Sequence, residues 1–121
     1  MTSNDKSRQS NWNNFDALFE LPEHERVKAW SQENLEFLQN FVAVEMNHYS
    51  LPDIANAQDF SEVIKVLRLN YRLWNQRLMK LMWINDELRS AEAQNDLAEF
   101  INTCPWNMLI EVARDVPGQL N

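Results

Sequence analysis

A single glycine, Gly118, stands in a chain of 121 residues, where average usage would supply about eight. Glycine enters positive φ without steric cost, so hairpin turns of the primed types and phosphate-cradling loops draw on it. A chain this poor in glycine is built from segments that never need such turns. It is expected to be all-α. The same scarcity removes most loop-borne catalytic machinery.

Apolar spacing and capping residues divide the chain into helices. Asn11 can cap a first helix that carries Trp12, Phe15, Leu18 and Phe19 on one side. A second is expected from Pro22 to about Tyr49, with Ser31 a good N-cap at which it can break. Ser50, Pro52, Asp53 and Asn56 mark a loop over 50–58. Asp59, with Glu62 three residues on, opens a third helix that runs to Leu88. Ser90 caps a fourth, which buries Leu97, Phe100, Ile101 and Cys104 and ends at Pro105. Trp106, Leu109, Ile110 and Ala113 repeat that spacing in a last helix stopped by Pro117-Gly118. Residues 1–10 read as a polar, disordered tail and 11–121 as a single helical-bundle domain. The expected fold is an all-α bundle of four to five helices built on a long antiparallel helical hairpin.

The third helix supplies the strongest pattern. Phe60, Ile64, Leu67, Tyr71, Trp74, Leu78, Leu81, Asn85 and Leu88 alternate in steps of four and three, a heptad seam with Asn85 as its one polar position. Leu35, Phe37, Leu38, Phe41, Val42, Val44, Met46 and Tyr49 of the second helix are expected to face that seam.

Composition bounds what such a bundle can be. An apolar content of 45% with five Trp and six Phe suffices for a core, while the longest uncharged apolar run, 81–84, is far too short for a transmembrane segment. Cys104 is the sole cysteine, which excludes an intrachain disulfide and a cysteine-based zinc site and fits a reducing, cytoplasmic compartment. Charge is segregated along the chain. Residues 63–85 hold Lys65, Arg68, Arg72, Arg77 and Lys80 with no acid, so against a net charge of −7 this segment is +5 and the remainder −12. Bases interleaved with Tyr71 and Trp83 resemble single-strand binders in composition, but the acidic remainder repels phosphate, and no nucleic-acid partner is expected. The basic helix is instead expected to lie against acidic neighbours.

Glu45 and His48 form the one pair with catalytic geometry, because a Glu-x-x-His step sets both on one helical face. A carboxylate-bridged di-metal bundle needs that motif twice, and the other histidine, His24, stands alone, so a structural role is expected. A metal-binding or enzymatic bundle using Glu45 and His48 is the alternative. The chain holds no Gly-x-Ser-x-Gly, P-loop or His-Glu-x-x-His, and Cys104 reads as core. No enzyme activity, cofactor or metal is expected.

Two surfaces suggest binding. On the third helix, Val66, Leu69, Leu73 and Trp83 lie off the seam, on the side of Arg72 and Lys80. Trp12, Phe15 and Phe19 form a short aromatic anchor that could dock in a partner's groove. The favoured function is therefore protein–protein binding by a small acidic regulator, inhibitor, immunity or assembly factor, with a homodimer through the third helix as one form. The order of helix, polar loop and long Gln- and Tyr-bearing helix over Asn34–Leu88 also resembles phasins, proteins that coat polyester storage granules. That resemblance implies an amphipathic coat on an apolar granule surface as the second class of function.

Overall fold

A computed structural model describes residues 12–88 and 91–115. These residues form six helices and no strand: α1 over 12–19, α2 Glu23–Lys28, α3 Gln32–Glu45, α4 Ala57–Leu88, α5 Ala91–Thr103 and α6 Asn107–Arg114. The all-helical expectation holds. The count of four to five is corrected, because the stretch expected from Pro22 to Tyr49 forms two helices. The Ser31 hydroxyl accepts the Asn34 N–H at 3.1 Å and its carbonyl accepts the Leu35 N–H at 2.9 Å, which starts α3 afresh. The Asn34 amide meanwhile donates to Ala29 O, at the C-cap of α2, at 2.7 Å.

The end of α3 also falls short of Tyr49. The Asn47 N–H donates to Pro105 O at 2.7 Å, Met46 pairs with Trp106 in an isolated antiparallel bridge, and His48 takes the left-handed backbone at φ 58°. A backbone donor committed to another segment cannot continue the helix. The start of α4 shifts the other way. Asn56, not Asp59, is its cap: Asn56 Oδ1 accepts the Asp59 N–H at 2.8 Å, while Asp59 Oδ2 reaches back to accept the Ala55 N–H at 3.1 Å. The expected tail over 1–10, the caps at Asn11 and Ser90, and the stop at Pro117-Gly118 lie outside the described residues.

Contacts group the chain into two compact units. The first comprises the described residues up to Val44 together with Ser50–Arg68. Its core joins Trp12, Phe15, Leu18 and Phe19 of α1, Leu38, Phe41 and Val42 of α3, and Phe60, Val63, Ile64 and Leu67 of α4. Phe15 stacks on Phe41 with ring centroids 3.9 Å apart, and Trp12 meets the same ring edge-on at 5.1 Å. Trp30 packs on Phe60 at 5.5 Å. Two arginines close the C-terminal end of α1, whose last carbonyls have no helical donor. Arg68 Nη1 donates to Phe19 O at 3.0 Å, and the buried Arg26 donates through Nη1 to Leu21 O at 2.9 Å. Arg26 Nε also reaches the buried Ser61, 3.1 Å to Oγ and 3.3 Å to the carbonyl.

The second unit comprises Glu45–Tyr49 and the described residues from Leu69 onward. Here α5 packs on α6, with Leu97, Phe100, Cys104, Trp106, Leu109, Ile110 and Ala113 buried. The α4 seam meets them through rings: Trp74 stands edge-on to Phe100 at 5.5 Å, and Tyr71 edge-on to Trp106 at 5.1 Å. Trp106 Nε1 donates to Asn70 Oδ1 at 2.8 Å, and Asn47 bonds Asn107 through their side chains. Of the heptad positions, Phe60, Ile64, Leu67, Leu78 and Asn85 are buried and Tyr71, Trp74 and Leu81 half-buried, while the Leu88 side chain lies outside the described part. Val44, expected on the inner face of its helix, is exposed.

Candidate interaction surface

The side of α4 turned away from the seam carries an apolar stripe in water. Leu69 and Leu73 are each 55% exposed, Met79 50% and Trp83 66%. At about 100° per residue, Leu69, Leu73, Lys80 and Trp83 fall within an arc of about 80°, opposite the buried Leu78 and Asn85. Residues 69, 73, 76, 80 and 83 repeat the four-three step of the seam, so this helix carries two heptad lines on opposite sides. Single exposed apolar residues are ordinary, but Leu, Leu, Met and Trp aligned on one helix are not.

Arg72 and Lys80 flank and interrupt this stripe and are exposed. Among the described residues neither is joined to a carboxylate, which corrects the expectation that the basic helix lies against acidic neighbours. Arg77 is committed elsewhere, with its guanidinium 5.1 Å from the Trp74 ring centroid. Arg68 is held by the Phe19 carbonyl. The cationic charge facing solvent beside Leu69, Leu73 and Trp83 therefore comes from Arg72 and Lys80.

The remaining candidates fall elsewhere. Trp12, Phe15 and Phe19 are buried in the core of the first unit, so the surface drawn here does not include them. Glu45 is fully buried as the last residue of α3, whereas His48 is exposed beyond the helix end, so the two do not share a helical face. His24 is a surface residue 3.4 Å from the Glu25 carboxylate. Among the described residues no three His, Cys, Asp or Glu side chains gather as metal ligands. Two open clefts indent the first unit, one along Leu35, Gln39 and 51–55, the other between Leu18, Leu21, Ala29 and Phe37. Each contains one acidic residue, Asp53 or Glu33, and no histidine or cysteine, which leaves neither an acid–base nor a nucleophile–base pair. No helix among the described residues is long and apolar enough to cross a membrane.

Cys104 is buried where α5 gives way to α6. Its sulfur accepts the Trp106 N–H at 3.4 Å and its thiol faces Trp106 O at 3.7 Å. Burial pushes the thiol above its ordinary value, against smaller opposing effects of the Trp106 backbone and the Arg77 charge. The folded state thus holds the proton more tightly than the unfolded chain, and this contribution to stability is complete below pH 9.0 and lost as pH rises through the folded value. A thiol so placed is a poor nucleophile. Labelling with an aromatic disulfide at pH 8 is expected to be slower by about tenfold or more in the native protein than in urea. Equal rates would place the sulfur at the surface.

Sequence reasoning missed Met79 as a member of the exposed stripe and missed the clasp between 46–47 and 105–107. The stripe could have been found from its own four-three step. The clasp rests on backbone groups, which every residue carries, and left no signal. The chain matches no protein-family model, no curated protein and no solved structure.

Proposed function

We propose that this protein acts by binding another protein through the outer side of α4, and not by chemistry. The observation that supports the reading is the alignment of four large apolar side chains, each half or more exposed, beside two cations with no described carboxylate partner. Removing such side chains from water stabilises an assembly by about 25 cal/mol per Å² of apolar area, and Trp with Arg is the pair most enriched at the energetic centre of interfaces. In the first unit, α3 and the first turns of α4 serve as an antiparallel hairpin in this reading. The compartment is the cytoplasm, where the lone thiol stays reduced. A phasin-like coat would gain its order from the surface it covers, whereas Phe15, Phe41 and Phe60 in one unit and Phe100 and Trp106 in the other are already buried. That favours the binding reading over the coat.

A photo-crosslinking residue at position 73 or 83, introduced in the native host, is expected to trap a discrete protein, which a second copy of the chain would also satisfy. The same residue at Asn40, exposed on α3, is the control. Leu69→Glu is expected to abolish the adduct and leave helicity and melting unchanged. Equal adducts from Asn40, or none from 73 and 83, would remove the support for this surface.

A further inference from the structure

Resting on that reading, we propose that the occupant of the outer side of α4 is an acidic amphipathic helix of a partner protein, seated along Leu69, Leu73 and Trp83 with its carboxylates against Arg72 and Lys80. The geometry of the stripe sets the shape of the occupant. From Leu69 to Trp83 it runs about 21 Å, close to four helical turns, and its four-three step offers knobs and holes to a second helix crossing at a shallow angle. Gln76 and Lys80 sit in the same line as Leu73 and Trp83, so the occupant meets apolar, polar and cationic positions in turn.

Charge selects among occupants. Residues 63–85 contain no acid, so nothing within this helix neutralises Arg72 and Lys80 locally. A second copy is disfavoured by symmetry. Arg72 and Lys80 lie at equal distances on either side of Gln76; antiparallel self-pairing centred there sets each Arg72 against the other copy's Lys80, and parallel self-pairing sets Lys80 beside Lys80. Like charges face each other in both. An anionic membrane is disfavoured because Gln76 and Lys80 break the apolar line that would have to enter the acyl region, and because the rest of the chain, at −12, is repelled by such a surface. A helix with carboxylates flanking an apolar seam satisfies both features, and its charge also hastens encounter.

The test uses the full chain and three designed peptides of about three heptads, identical but for Glu, Gln or Lys at the flanking positions. Binding is read by anisotropy of a fluorophore on the peptide. The Glu peptide is expected to bind, to weaken as salt rises, and to lose about tenfold in affinity to Lys80→Glu. The Lys peptide is expected to bind the Arg72→Glu/Lys80→Glu variant and not the wild type. Leu73→Ser is expected to weaken the Glu peptide while the circular dichroism spectrum and melt stay unchanged. If the Gln or Lys peptide binds the wild type as well as the Glu peptide, and Leu73→Ser abolishes it, the surface reading stands and the acidic partner is overturned. If no peptide binds, or phosphatidylglycerol vesicles bind where peptides do not, the docking of a helix here is itself overturned. A dimer seen by light scattering and dissolved by Leu73→Ser would make a second copy the occupant, and a Leu73→Ser chain that unfolds would make this side internal; each overturns the proposal.

Discussion

Trp106→Ala is expected to lower the free energy of unfolding by about 3–5 kcal/mol, much of what holds a small protein folded. The ring is fully buried, edge-on to Tyr71, and its Nε1–H is taken by Asn70 Oδ1 at 2.8 Å. Its backbone is equally committed, paired with Met46 and bonded to the Cys104 sulfur. Truncation therefore leaves a void, an acceptor without its donor, and a turn with nothing to fold around. Trp106→Phe separates these effects. It keeps most of the apolar volume and loses the bond to Asn70, so it should cost only about 1–2 kcal/mol. Urea unfolding followed at 222 nm measures both. A Trp106→Ala loss below about 1 kcal/mol would show that the ring is not a core element.

Arg26→Met is expected to destabilise by about 2–4 kcal/mol. Arg26 is 8% exposed and its acceptors are two carbonyl oxygens and one hydroxyl, none of them charged. Two effects compete. Burying a guanidinium costs several kcal/mol in desolvation, which an apolar isostere would relieve. Against this, Met leaves the Leu21 carbonyl and Ser61 without a donor at the end of α1, and each such loss costs about 1–3 kcal/mol. The second effect dominates because the charge keeps some access to water, whereas the buried acceptors have no substitute. Arg26→Lys should recover little, since one ammonium cannot span acceptors on two segments as the planar fork does. A variant as stable as wild type would mean that desolvation decides.

The helices were legible where their signal is a side chain. Ser31 was readable as a cap because its hydroxyl has one obvious use there, and the α4 seam because eight of its positions are apolar at a fixed step. Leu78 and Phe60 are buried and Leu73 and Trp83 exposed on the evidence of spacing alone. The errors arose where a backbone group or a second segment decided the outcome. Helical periodicity runs through Met46 and Tyr49, yet Pro105 takes the Asn47 N–H and ends α3 early. Asn56 and Asp59 are both good caps, and only the reach of Asp59 back to Ala55 shows which one starts the helix. The exposed stripe was readable as a pattern. Its occupant is a property of another molecule, and only charge carries information about that.

Because α4 presents an inner and an outer line with the same seven-residue step, its length is a matter of phase. One residue inserted between Asn75 and Gln76 would turn everything beyond by about 100°, carrying Leu78 out of the core and Trp83 off the line of Leu69 and Leu73. Seven inserted residues would return both lines to within about 20° of their present direction. Core and contact surface are thus coupled through rotation about a single axis: the helix can be lengthened by whole heptads, and any smaller insertion misaligns both at once.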